Sequence, residues 1–219
     1  MEQKILVYHR CCSCDQIHPV QVDGGEETAY VCPDCGKEGW SKQWPDSSIR
    51  RVIQIVLGLS PQDADYERIS CLLLSACLED MMREQLTTMA LEGTIWDAVS
   101  LILDPLLDAY RGRQRQMQLF RNIGYGSFSK NCSEVGFPDY PRQWGSIADQ
   151  RNYYAHSTGE PCKPLTDVNF RDFIVHTMAV FAYLHNRYNV ETTAYSAAVD
   201  LELRACLKEI EEEDCEQEN

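Results

Sequence analysis

The 219-residue sequence has no run approaching the ~18 apolar residues of a membrane span, and its longest apolar stretches are broken by Asp, Gln or Arg. Its opening residues, Met1-Glu2-Gln3-Lys4, show no basic segment followed by an apolar one, so no secretory signal is expected. Basic side chains are scarce, 20 Lys and Arg against 34 Asp and Glu, which argues against a broad cationic surface for coating nucleic acid. No long stretch of the body alternates with period two, which argues against a sheet-based body. Cysteine, in contrast, is plentiful: eleven residues, an odd number. Without an export signal, that content points to a reducing, cytoplasmic compartment, where clustered cysteines bind metal instead of forming disulfides.

The acidity is unevenly spread. Residues 192–219 carry nine acids against two bases, a net of −7, whereas residues 46–191 carry a net of only −4 of the chain's −14. The last segment reads as an acidic tail, helical or disordered, and a charge run of that kind is normally a solvated one. Between Ala109 and Ser133 there is no acid at all, while Arg111, Arg113, Arg115, Arg121 and Lys130 contribute five positive charges. Tyr110, Phe120, Tyr125 and Phe128 interleave with them. Basic groups pair with phosphates and aromatics stack on unpaired bases, so this stretch is a candidate RNA-binding segment. The plainer alternative is a solvated helix face with buried aromatics.

Cys11-Cys12-Ser13-Cys14 and Cys32-Pro33-Asp34-Cys35 form two C-x-x-C pairs, 17 residues apart. Two tight turns, each presenting two thiolates, suit a tetrahedral Zn²⁺, and Gly36 lets the second turn adopt a positive φ. Cys11, Cys14, Cys32 and Cys35 are the expected ligands of a structural zinc ion. Cys12 competes with Cys11, and His9 and His18 are substitutes. Val20, Val22, Thr28, Ala29, Tyr30 and Val31 suggest two strands joined across Asp23-Gly24-Gly25. The pattern resembles a zinc ribbon occupying residues 1–45, too small to bury a core without its metal.

Residues 46–191 read as an all-α up-down bundle. Asp46-Ser47-Ser48 caps a helix to about Gly58, and Ser60-Pro61 opens a second running toward Leu91. Ile69, Leu72, Leu73, Ala76, Leu78, Met82 and Leu86 form its expected apolar side. A third helical region starts at Thr94, breaks near Asp104-Pro105 and resumes to Leu119; residues 120–140 are a long Gly-, Ser- and Asn-rich loop. A fourth helix covers Pro141 to Tyr154, and Thr166-Asp167 caps a fifth carrying Phe170, Phe173, Ile174, Thr177, Met178, Phe181, Leu184 and Tyr188. His176 and His185, on or beside that stripe, read as structural.

Arg151-Asn152-Tyr153-Tyr154-Ala155-His156 ends the fourth helix before a loop and a last amphipathic helix. This placement resembles the R-x4–6-H motif of HEPN domains (higher eukaryote and prokaryote nucleotide-binding). The helix with Cys77-Leu78-Glu79-Asp80 is similar to the early family helix that often carries an acid. The resemblance implies a metal-independent endoribonuclease, a toxin or defence effector, acting as a homodimer in which two motifs meet in one cleft. It implies His156 as acid/base, Arg151 as phosphate clamp, Asn152 as positioner and Glu79 as a third member, with RNA as substrate and an antitoxin or defence-system protein as partner. Other members of the superfamily imply a non-catalytic nucleotide-, RNA- or protein-binding module instead. Helical geometry adds that Asn152 and His156, four apart, share a face, while Arg151 lies about 140° away from His156 around the axis.

Overall fold

The computed structural model describes residues 4–23, 30–39, 42–91, 107–109, 111–123, 126–156 and 165–188. These are mostly helical with a small N-terminal sheet: strands β1 (Lys4–Arg10), β2 (Ile17–Asp23), β3 (Tyr30–Val31), β4 (Glu38–Gly39) and β5 (Lys42–Trp44), then helices α1 (Ser47–Leu57), α2 (Tyr66–Leu91), α3 (Arg113–Ile123), α4 (Phe128–Val135), α5 (Tyr140–His156) and α6 (Phe170–Tyr188). The chain divides into two compact units, one of residues 1–47 with 182–219, the other of residues 48–181. Among the described residues no helix is long and apolar enough to cross a membrane.

In the first unit an antiparallel sheet runs in the order β2-β1-β5, and β3 pairs separately with β4. Val7 lies opposite Val20, and Tyr8 lies between Pro19 and Trp44, its ring edge-on to the Trp44 ring at 5.9 Å. One hairpin was expected between the cysteine pairs; instead each pair occupies the turn of its own hairpin, β1–β2 or β3–β4. Val20 and Val22 find partners upstream, opposite Val7 and Ile5, so the tight turn forms at the cysteines. Gly24 and Gly25 lie outside the described residues.

The end of α6 completes this unit. Asn186, fully buried, accepts from the Ile17 amide at 2.8 Å and donates to the Ile17 carbonyl at 2.7 Å, so one side-chain amide satisfies the strand residue as a neighbouring strand would. His185 Nε2 donates to the Asp15 carbonyl at 2.9 Å, and its Nδ1 takes the Arg10 guanidinium at 3.4 Å.

In the second unit α2 packs on α5 and α3, and α4 packs on α3 and α5. The buried seam of α2 is Cys71, Leu74, Leu78, Met81, Met82, Leu86 and Met89, following helical spacing. It is rotated from the expected one: Ala76 is exposed, while Cys71, Ser75 and Cys77 are inside. Free cysteine is a small hydrophobe, and burial pushes the Cys77 thiol up to about 12. The core centres on rings: Phe128 edge-on to Phe120 and Trp144, Tyr140 stacked on Phe173 at 5.0 Å, and Trp144 beside Phe181. The Tyr140 hydroxyl meets Thr177 Oγ1 at 3.0 Å.

Several boundaries shift. α2 begins at Tyr66, because Ser60 and Gln62 close a turn on themselves. α6 begins at Phe170 with Asn169 accepting from the Arg171 amide, in place of Thr166-Asp167. The expected loop 120–140 contains α4: Ser127 caps it by accepting from the Lys130 amide, and Gly136, at φ 102°, ends it. Of the third helical region only Leu107–Ala109 and the α3 portion are described, so Thr94 and Asp104-Pro105, like the tail 192–219, lie outside.

Replacing Asn186 by Leu is expected to strand the amide and carbonyl of Ile17, at roughly 1–3 kcal/mol for each group left unpaired. A urea unfolding midpoint equal to that of the wild type would refute this account of the α6 end.

Candidate functional site

Cys11, Cys14, Cys32 and Cys35 bring their sulfurs within 4.8 Å of one another and could hold a metal ion. Cys11 and Cys35 sulfurs are 3.8 Å apart, those of Cys14 and Cys32 3.5 Å. A tetrahedron of ~2.3 Å zinc–sulfur bonds has edges of roughly 3.8 Å, so the set fits such an ion. The two turns are congruent. The Asp15 amide donates to the Cys11 carbonyl and the Gly36 amide to the Cys32 carbonyl, while the Cys11 and Cys32 amides donate to the carbonyls of Gln16 and Lys37. The residue four after each first cysteine has positive φ, 57° at Asp15 and 65° at Gly36. Aspartate tolerates that left-handed conformation better than most side chains, so a non-glycine residue serves here.

Crowding of four thiols sets their ionisation apart. Burial opposes the Cys11 thiolate, but the Cys14 and Ser13 amides and the neighbouring thiols bring it down to about 7. Burial pushes Cys14 and Cys32 up, and for Cys14 the neighbouring sulfurs add to it. A cation is what lets all four be thiolates together. Cys12 is exposed and outside the cluster. Neither histidine substitute is in it: His18 Nε2 stands 3.8 Å from the Cys32 sulfur and 3.5 Å from Asp34 Oδ2, beside the ligands, and His9 packs on Tyr30. Burial works against the Asp15 carboxylate, yet the His185 N–H and Arg10 keep it below the usual range.

In the helical unit, a cleft of about 270 Å³ draws together segments far apart in sequence: Glu79 of α2, Arg111 to Arg115 at the start of α3, and Ala148, Asp149, Arg151 and Asn152 of α5. Arg151 Nη2 donates to Glu79 Oε1 at 3.2 Å and its Nη1 to Asn152 Oδ1 at 2.9 Å. Both members of the Arg151–Glu79 pair are about two-thirds covered. Gln116 donates to the Glu79 backbone carbonyl at 2.9 Å, tying α3 to α2 at the same point. Arg113 lies over Gly145 so closely that a methyl group there would come within 3.3 Å of its Nη2.

The five candidate RNA-binding residues separate. Arg111, Arg113 and Arg115 line the Arg151 cleft, while Arg121 and Lys130 do not. Arg111 is bound by Asp108, which Arg83 also holds; their hydrogen bonds keep that carboxyl below the usual range. Lys130 sits 3.9 Å from Glu134. Phe120 and Phe128 are core residues and offer no stacking face; Tyr110 and Tyr125 lie outside the described residues. His156 is the last residue of α5, exposed, and is not part of the cleft lining. His176 stacks on Phe137 at 4.1 Å, a structural placement.

One element has no counterpart in the sequence reading. Glu67 accepts from Gln150 Nε2 at 2.5 Å, the Tyr154 hydroxyl at 2.7 Å and the Leu165 amide at 2.9 Å. Burial and this carboxylate push the Tyr154 phenol up to about 12, so it remains a donor. The signal was present as Gln150 and Tyr154, four apart, one just before the motif and one within it, but two polar residues of that spacing do not name their acceptor. Comparison with protein-family models, curated proteins and solved structures returns no match.

Elemental analysis is expected to find one metal ion per chain. Cys32→Ser should lose it and Cys12→Ser should keep it, since only the former sulfur belongs to the cluster; full occupancy in Cys32→Ser would overturn the assignment.

Proposed function

We propose that this chain is a HEPN-type endoribonuclease acting as a homodimer. The observation that carries the reading is the convergence of Arg151 and Asn152, Glu79 and the Arg111–Arg115 stretch on one cleft. In the reaction, a ribose 2′-OH attacks the adjacent phosphorus, the bond to the 5′-oxygen breaks, and the products carry a 2′,3′-cyclic phosphate and a 5′-OH. His156 takes the 2′-OH proton, and a histidine returns a proton to the leaving oxygen. Arg151 offers N–H donors to the non-bridging oxygens; two of its five are engaged by Glu79 and Asn152, which aim the guanidinium and leave three. His156 lies off the cleft within one chain, which supports a second copy completing the site.

Zinc, held by the four thiolates, is the ion proposed for the N-terminal unit, with no position left open for chemistry. The family resemblance extends the proposal to a toxin or defence effector working in the cytoplasm, restrained or triggered by an antitoxin or defence-system partner. The Arg151–Glu79 ion pair favours a second reading, a non-catalytic RNA- or nucleotide-binding module in which Arg151 is structural.

Cleavage of RNA should proceed without added divalent cation. His156→Ala should lower the rate by about 10²–10⁴ while leaving the circular dichroism spectrum unchanged. Arg151→Lys should rescue poorly, because an ammonium lacks the two-pronged contact to phosphate. Wild-type rates in His156→Ala, or cleavage of DNA, which has no 2′-OH, would rule out this mechanism; binding without cleavage would select the second reading.

A further inference from the structure

A second cavity, of about 230 Å³, opens beside the first between α3, the start of α4 and α5. Arg113 lines both. Arg121, Ser127, Phe128, Ser129 and Trp144 contribute to its wall, and among the described residues no carboxylate does. Among the described residues neither Arg113 nor Arg121 is paired with an acid. The amides of Phe128 and Ser129 open the first turn of α4, where a helix has no intrahelical acceptor and its dipole favours negative charge. Trp144 is completely buried, and its indole N–H has no hydrogen-bond partner in the structure.

Size and shape select the ligand. The volume lies below the ~300–1,000 Å³ of pockets that enclose drug-sized molecules. The Phe128 and Trp144 rings pack on each other edge to face at 5.6 Å and are buried, leaving no open face for a base. Two unpaired guanidinium groups and a helix start suit a phosphate, and Trp144 behind them reports on its arrival. We propose that this cavity holds a phosphate of the RNA strand whose neighbouring phosphate lies in the Arg151 cleft, with Arg113 serving both. The proposal rests on the ribonuclease reading and adds to it a subsite that fixes how the strand lies across α3.

The test uses full-length protein and a ten-nucleotide 2′-O-methyl RNA, which lacks the attacking hydroxyl. The indole ¹⁵N–H resonance of Trp144, assigned with a Trp144→Phe variant, should move on adding this RNA and on adding millimolar inorganic phosphate. Arg121→Ala should abolish both responses and reduce the slope of log affinity against log salt by about 0.7, the loss of one phosphate contact on a single strand. Arg51→Ala, on α1 and outside both cavities, should leave the slope unchanged. An indole resonance that ignores both ligands, or an unchanged slope in Arg121→Ala while the wild type still cleaves RNA, overturns the subsite alone. A phosphate response in a wild type that neither binds nor cleaves RNA overturns the ribonuclease reading and the RNA subsite with it, leaving a site for a free anion.

Discussion

The placement of α5 on α2 by two carboxylates is the constraint from which the candidate site follows. Glu67 and Glu79 are twelve residues apart, about 18 Å along the α2 axis, yet their partners Gln150 and Arg151 are neighbours. Two contacts spread that far along one helix and converging on one point of the other oppose sliding in either direction. The apolar seam of α2 supplies adhesion but little register, because Leu74, Leu78, Met81, Met82 and Leu86 present similar surfaces turn after turn. The polar pairs select one register among these, and in doing so set where Arg151 emerges and how α5 ends at His156.

The cleft also shows how an acidic chain can present local positive charge. Its net charge of −14 is a sum over the whole sequence. Arg111, Arg113, Arg115 and Arg151 converge where, among the described residues, Glu79 and Asp149 are the only acids in the lining. At physiological salt, charges more than about 8 Å away are largely screened, so the local field is set by these arginines and the acids beside them, Asp108 on Arg111 included, and not by the chain's net charge.

Where a residue's role is set by its near neighbours, the sequence was readable. The two C-x-x-C pairs specify their own turns, and the cluster assembles from the four cysteines expected. That Asn152 and His156 share one face, both exposed, follows from helical spacing, while the helix runs two residues past the expected Tyr154. Where a role is set by partners far along the chain, it was not. Phe128, Asn131, Cys132 and Val135 carry helical spacing in only eight residues, too short to stand out among Gly and Ser, and α4 exists because those side chains meet α3 and α5. The rotated seam of α2 depends on cysteines and a serine that hydropathy alone ranks below the leucines beside them. Glu79 meeting Arg151 joins residues 72 apart. Only the family resemblance singled it out.

The Asn186 amide that closes on Ile17 bridges 169 positions of chain. At ~5–20 residues per second of synthesis, the first strands leave the ribosome roughly ten to thirty seconds before their last partner exists. In that interval the thiolate cluster can gather its ion from two nearby hairpins, since both are complete by Gly39. The backbone of Ile17, however, must wait, hydrated, until the 169 positions that separate it from Asn186 have been made. The two cysteine hairpins can therefore form well before the contact that seals Ile17, and a chain truncated before residue 186 would yield a chelating but unsealed fragment.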